Sequence, residues 1–312
     1  MYILLAMPDA DDYKKALQAK FPEIVFHAVT SEAGIGEHAN KMEILVTLYR
    51  VADDLLKLAG NLKWIQVTTS GVNYLLSRPS LRKEVIITTC RGIHGPQMSE
   101  MAFLLMLALN RNFPQVVRNQ EKRLWGKWPG KLLFQKKVGI LGVGAIGEEI
   151  ARKAKAFGMT VYGIDIVKRK LDPVDFFYGP EDLLQVAAEV DYLIVVAPST
   201  PETEKIIGAK VLAAMKPTSF LINIARGEMV DDQALIEAME AGKIAGAALD
   251  ALSVEPLPKD HPLWTTKNVI ITPHVGGVSE NYIDQVVPIV EENLRRFLQG
   301  ERHNLINYVE RA

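Results

Sequence analysis

Between Val138 and Asp165 the chain reads VGILGVGAIGEEIARKAKAFGMTVYGID, and no other stretch limits the fold so tightly. Val138, Ile140 and Leu141 make a short apolar run. Gly142, Gly144 and Gly147 follow as G-x-G-x-x-G, and Ile146, Ile150, Ala154 and Phe157 then recur at helical spacing. A second strand ends in Asp165, 18 residues after Gly147. Strand, glycine turn, helix, strand and terminal acid are the parts of a βαβ unit that takes a dinucleotide pyrophosphate at a helix N-terminus. Gly142 and Gly144 permit the turn and the close approach, and Gly147 lets the helix pack on the strand. Asp165 is placed to accept the adenosine ribose hydroxyls, and its charge would repel a 2′-phosphate, which favours NAD over NADP. Lys168, Arg169 and Lys170 follow and read as a solvated basic loop; in the alternative reading they soften that preference.

A chain of 312 residues suits two domains. Its 36 Lys and Arg nearly balance 37 Asp and Glu, which removes any general electrostatic case for nucleic acid or an anionic membrane as partner. The single cysteine, Cys90, excludes an internal disulfide and a cysteine zinc cluster and fits a reducing compartment. The six histidines show no metal-ligand spacing, so no metal is expected. Tyr2 to Met7 has no basic leader and reads as a first strand rather than a signal peptide. Met101 to Leu109, the longest apolar run, covers about half of the ~20 residues a bilayer requires and reads as a buried helix. These features describe a soluble, cytoplasmic α/β protein.

From residue 1 to about 95, short strands alternate with amphipathic helices, with no glycine fingerprint after the first strand. This half is expected not to hold the dinucleotide. Its most informative turn is Ser70-Gly71-Val72-Asn73 after the strand WIQVTT. Successive N–H groups there would form a nest for a carboxylate, with an ordinary polar turn as the alternative. Pro96 to Asn110 reads as a helix crossing to the second domain, and Arg111 to Lys137 as an extended arm whose Trp125 and Trp128 suit either an oligomer interface or internal packing.

Strands at 191–197, 219–225, 246–251 and 268–272 follow, the first three separated by helical segments near 180–189, 203–215 and 232–241. This alternation implies a mostly parallel sheet, with the ligand beyond the carboxyl ends of its strands. Arg226 follows the second of these strands, Asp250 stands at the end of the third with Glu255 in the loop after it, and His274 follows the fourth. An arginine, two acids and a histidine beside a nicotinamide suit hydride transfer to a 2-oxo acid or from a 2-hydroxy acid. Arg226 would bind the carboxylate in a bidentate fork, and His274 would exchange a proton with the carbonyl oxygen. Glu255 would fix the histidine tautomer, and Asp250 would accept from the nicotinamide carboxamide.

These motifs resemble the D-isomer-specific 2-hydroxyacid dehydrogenase family over nearly the whole chain. The matching positions are the Ser70-Gly71-Val72 turn, GVGAIG with Asp165, APSTPET at 197–203, NIARGEMVDDQAL at 223–235, LDALSVEPLP at 249–258 and TPHVGG at 272–277. The resemblance implies two Rossmann-like or flavodoxin-like domains facing a cleft. The substrate domain would be residues 1–98 completed by 287–312, and the NAD-binding domain residues 99–286. It implies Arg226, Glu255 and His274 as the catalytic group, with Ser70, Gly71, Val72 and Arg226 on the substrate. Cofactor contacts would come from the glycine turn with the backbone of Ala145 and Ile146, from Asp165, from Ala197 and Pro198 near the adenine, and from Ala225, Asp250, His274 and Gly276 near the nicotinamide. It also implies a homodimer built through the cofactor domains. Alanine at 145, where relatives often carry arginine, removes one phosphate contact, and His94 stands in an atypical loop that approaches the substrate cleft in one reading. Two other activities share this constellation: an NAD-sensing corepressor-like protein, and a formate- or phosphite-type oxidoreductase.

Overall fold

Five short strands, β1 (Ile3–Ala6), β2 (Phe26–Val29), β3 (Ile44–Thr47), β4 (Trp64–Val67) and β5 (Ile86–Thr88), pair in parallel in the order β2-β1-β3-β4-β5, the flavodoxin-like arrangement. Their near-continuous apolar sequences reflect cover on both faces. Ile3 and Leu5 of β1 face the helices Ala10–Lys20 and Tyr282–Leu298, while Leu4 and Ala6 face Ile35, Leu56 and Leu75. A buried polar network lies within this apolar frame. Trp64 Nε1 donates to Thr88 Oγ1 at 2.8 Å, Thr88 donates to Gln66 Oε1 at 2.7 Å, and Asn293 Nδ2 donates to the same oxygen at 2.9 Å. The C-terminal helix is thereby tied to the first sheet.

Seven further strands, β6 (Lys137–Leu141), β7 (Thr160–Ile164), β8 (Phe176–Tyr178), β9 (Tyr192–Val195), β10 (Phe220–Asn223), β11 (Gly246–Leu249) and β12 (Val269–Ile271), form a parallel sheet in the order β12-β11-β10-β9-β6-β7-β8. Strand order reverses between β6 and β9, so the ligand crevice belongs at their carboxyl ends. Two clusters of buried side chains cover the sheet, one on each face.

This computed structural model describes residues 1–311; Ala312, the last residue of the expected C-terminal completion, lies outside them. The chain divides into a unit of Met1–Ile93 joined by residues from Ser279 onward, and a unit of His94–Val278. The sequence reading placed these boundaries at 98/99 and 286/287; the structure places both earlier. The reason is packing. Helix Gly95–Arg111 buries Met98, Ala102, Phe103 and Met106 with Val138 and Ile140, and so belongs to the second unit from its first turn. Helix Tyr282–Leu298 buries Val286, Val290, Leu294 and Phe297 with Ile3 and Trp64, and so belongs wholly to the first.

Within the second unit, three elements depart from the sequence reading. The stretch expected as an extended arm opens with a helix, Phe113–Glu121, carrying proline in its first turn; the chain is irregular only beyond it. The edge strand β8 was not anticipated. The helix expected from 203 begins only at Ala209, because Thr200 to Thr203 closes a side-chain-bonded turn and Gly208 stands at the helix N-cap. Among the described residues, no helix is long and apolar enough to cross a membrane.

Candidate active site

The glycine turn leaves β6 at Leu141. Gly142 has φ +99°, and a Cβ there would lie 2.4 Å from the backbone nitrogen of Ala197, so only glycine lets the β6 and β9 ends meet at the switch point. A Cβ on Gly147 would lie 2.1 Å from the Gly142 carbonyl oxygen. Gly144 is different: nothing lies within 4 Å of the position its Cβ would take. That open space sits over the first turn of helix Ala145–Ala156, beside exposed Ala145, where an anion meets backbone N–H groups and the positive end of the helix dipole. Glycines where backbones collide and open space at the helix mouth fit the pyrophosphate of a dinucleotide. Ala197 borders the same turn.

Asp165 follows β7 directly. Its Oδ2 accepts from Val143 N–H at 2.8 Å and its Oδ1 from Val167 N–H at 3.2 Å. Lys168 is turned away, with Nζ 3.3 Å from Glu181 and 3.7 Å from Asp182. Arg169 instead reaches back, donating from Nη2 to the Val143 carbonyl at 2.5 Å.

At the other end of the sheet, three consecutive strand ends are held by two buried polar side chains. Asn223, closing β10, accepts from Ala225 N–H at 3.1 Å and donates to the Arg226 carbonyl at 3.0 Å, which shapes the turn presenting Arg226. The Arg226 guanidinium is half-buried and donates to the Ala225 carbonyl at 2.7 Å. The loop after β11 crosses directly over the next residue: a Cβ on Gly227 would lie 1.9 Å from the Leu252 carbonyl carbon. That loop is fixed further by Ser253 donating to Asp232 and by Leu252 N–H donating to Glu255 Oε1 at 3.0 Å.

Both Glu255 oxygens lie 2.9 Å from Nδ1 of His274. A proton on Nδ1 is therefore held by the carboxylate, and Nε2 is left for exchange with a ligand. His274 has φ +54°, a left-handed conformation uncommon outside glycine. Asp250 supports it. Only 1% exposed, Asp250 accepts from Thr272 Oγ1 at 2.6 Å, Val275 N–H at 3.1 Å and Gly276 N–H at 2.9 Å, which fastens the histidine loop at residues on both sides of His274. The sequence reading gave this acid a cofactor contact alone; its anchoring bonds to backbone N–H groups leave no side-chain signature. Gly276 is close-packed as well, since its Cβ would lie 2.7 Å from Asp250 Oδ2 and 3.1 Å from Met101 Cγ.

His94 is 6% exposed and close enough to Arg226 to feel its charge. Burial, and then that charge, push its imidazole down to about 4.

In the first unit, Ser70 is exposed after β4, Gly71 is half-buried, and the Val72 side chain packs in the core near Leu75, so this turn offers a ligand backbone and the Ser70 hydroxyl. Tyr282 donates to the Thr68 carbonyl at 2.7 Å beside it. Tyr49 is used within the unit, its hydroxyl donating to the Thr30 carbonyl at 2.6 Å, and Arg50 lies over the Tyr74 ring.

Residues 103–276 match the family model for the D-isomer specific 2-hydroxyacid dehydrogenase NAD binding domain. A D-3-phosphoglycerate dehydrogenase of Methanocaldococcus jannaschii is 33% identical over 98% of this chain, which spans only 59% of that protein's length. A glyoxylate reductase/hydroxypyruvate reductase of Mus musculus is 32% identical over 81% of this chain and 79% of its own. Among solved structures, a D-isomer specific 2-hydroxyacid dehydrogenase family protein from Aeromonas salmonicida superposes with TM-score 0.91 at 33% identity, covering 99% of this chain and 98% of its own. A D-isomer specific 2-hydroxyacid dehydrogenase from Xanthobacter autotrophicus, solved with NADPH and MES, has TM-score 0.84 at 29% identity, with 99% and 98% covered.

Proposed function

Because the chain belongs to the D-isomer-specific 2-hydroxyacid dehydrogenase family, we propose that it interconverts a small 2-oxo acid and its D-2-hydroxy acid by nicotinamide-dependent hydride transfer. The observation that carries this reading is the His274–Glu255 pair, 2.9 Å apart at Nδ1, on loops that Asp250 and Gly227 hold in place. When bound, the nicotinamide supplies the hydride in reduction and receives it in oxidation. Arg226 holds the substrate carboxylate with its planar fork and draws electron density from the adjacent carbonyl. His274 gives the proton on Nε2 to the carbonyl oxygen during reduction and takes it back in oxidation, while Glu255 keeps the ring oriented and balances its charge. The Ser70-Gly71-Val72 turn contributes backbone N–H groups to the carboxylate.

The glycine turn, Ala145, Ile146, Ala197 and Pro198 hold the pyrophosphate and adenosine, with Ala225, Asp250 and Gly276 beside the nicotinamide. Asp165 at the ribose favours NAD over NADP, although the Xanthobacter relative was solved with NADPH. The protein is a homodimer through the cofactor domain. This is supported by the segment after helix Phe113–Glu121, where Trp125 is 91% exposed and Leu124, Leu132 and Phe134 are also exposed, more apolar surface than one short segment of a monomer usually shows.

The test is NADH oxidation by the purified protein with glyoxylate, hydroxypyruvate, pyruvate and longer 2-oxo acids. Turnover on at least one is expected. Silence on all of them would remove the enzyme assignment; cofactor-dependent assembly with negligible turnover would then favour the corepressor-like reading, and activity on formate or phosphite alone the third.

A further inference from the structure

At the amino edge of the first sheet lies a cavity that the proposed chemistry does not use. The first residues of β3, β4 and β5 stand side by side there, Ile44 paired with Trp64 and Trp64 with Ile86. The residues leading into these strands, with the turn after helix Tyr282–Leu298, enclose about 710 Å³, a volume within the range of small-molecule sites. The Ser70-Gly71-Val72 turn follows the carboxyl end of β4, so the cavity and that turn occupy opposite edges of one sheet. Leu62, Ile86 and Phe297, all buried, make its apolar floor. Four Lys and Arg side chains and two acids stand in its walls. Both acids are already matched. Lys63 Nζ lies 2.6 Å from Glu43 Oε2, and Arg82 Nε lies 2.7 Å from Glu84 Oε1, with the rest of the Arg82 fork donating to the Ala59 and Leu62 carbonyls. Lys41 and Arg302 are left without a carboxylate in ion-pair range among the described residues. Arg302 is instead laid over the Phe297 ring, its Cζ 5.3 Å from the centroid, a contact that occupies the face of the guanidinium and spares its N–H donors.

We propose that this cavity is a second ligand site, for a phosphate monoester with a flat apolar body. The charge count carries the choice of ligand. A phosphate monoester bears about −1.5 to −2 at neutral pH, which Lys41 and Arg302 together neutralise, and a walled cleft concentrates their field. Arg302 meets phosphate oxygens with its planar fork, and Lys41 as a mobile point charge. The apolar body lies on Leu62, Ile86 and Phe297. Glu43 and Glu84, held in their pairs, repel an anion less than unpaired carboxylates would. The site does not depend on the dinucleotide reading of the second unit.

The experiment is calorimetric titration of the whole protein with phenyl phosphate, phenol and inorganic phosphate at low ionic strength, where exposed charges are least screened. Phenyl phosphate should bind at least about tenfold tighter than either of the others, because each of them lacks one half of the interaction. Arg302→Gln and Lys41→Gln should each weaken phenyl phosphate by about tenfold, the scale of one hydrogen bond to a charged group. Both side chains are exposed, so their replacement leaves the core intact. Lys243→Gln, which removes an exposed charge of the other unit, should change the affinity by less than about twofold. Arg226→Gln should change it as little, which separates this cavity from the candidate active site. Absence of phenyl phosphate binding, binding that survives both Arg302→Gln and Lys41→Gln, or binding that Arg226→Gln or Lys243→Gln abolishes would overturn the proposal. Phenol or inorganic phosphate binding as tightly as phenyl phosphate would overturn it as well.

Discussion

His274 stands in a left-handed backbone conformation at φ +54°, and three hydrogen bonds to Asp250 from Thr272, Val275 and Gly276 hold the loop that imposes it. A non-glycine residue in that region stores strain that its surroundings must over-determine, and such residues gather at functional sites. At His94 the surroundings act on protonation instead. Its pKa in the folded protein is lowered from 6.5 to about 4, by burial first and then by Arg226. Between those two values the unfolded chain binds more protons than the native one, so stability rises with pH across that window and is lost as pH falls through it; below about 4 the loss is complete. The full step is about 3 kcal/mol. Urea unfolding at pH 7 and at pH 4.5 should show a drop in the unaltered protein that is smaller by about 2–3 kcal/mol in His94→Phe. Equal drops in both proteins would remove His94 from the account. The sequence offers Arg226, Glu255 and His274 as candidates because each is a charged or titratable residue in the loop after an apolar strand, and the parallel order β10-β11-β12 makes those three loops neighbours. The work of Asp250 and the place of His94 were not legible there, because both depend on backbone groups and neighbours that are far away in the sequence.

Elements are held by a few buried polar residues as much as by apolar faces. Asn293, fully buried in helix Tyr282–Leu298, donates to Gln66 Oε1 at 2.9 Å and the Ile306 carbonyl at 3.1 Å, and accepts from Ile306 N–H at 2.6 Å. Asn293→Leu keeps the volume near its original value but strands buried donors and acceptors, and should lower unfolding free energy by about 3–5 kcal/mol. Thermal and urea denaturation would check it; a loss below about 1 kcal/mol would mean that the network is dispensable. The long helices and every strand of both sheets except β8 could be read from the sequence, since their apolar residues recur at the spacing their packing demands. Helix Phe113–Glu121 departs from the expected extended arm: Phe113, Val116 and Val117 recur at helical spacing, but none of its residues is buried in this chain. The edge strand β8 is three half-covered aromatic residues, too short to show a period.

At the scale of the molecule, each unit carries its own parallel sheet, one ordered as in flavodoxin-like domains and the other reversing between β6 and β9. The chain returns to the first unit through its last long helix, a crossing implied by family resemblance rather than by any break in composition. The second sheet places the glycine turn on one side of its reversal and three strand ends with Arg226, Glu255 and His274 beyond the other. The central claim is that this triad performs the proton and carboxylate chemistry while the turn holds the cofactor. The most direct measurement is the turnover number of His274→Ala on the best 2-oxo acid, taken together with its NADH dissociation constant. Turnover should fall by about 10²–10⁴, the usual contribution of a general acid, while the dissociation constant stays within about threefold. A variant that keeps full turnover would contradict the mechanism.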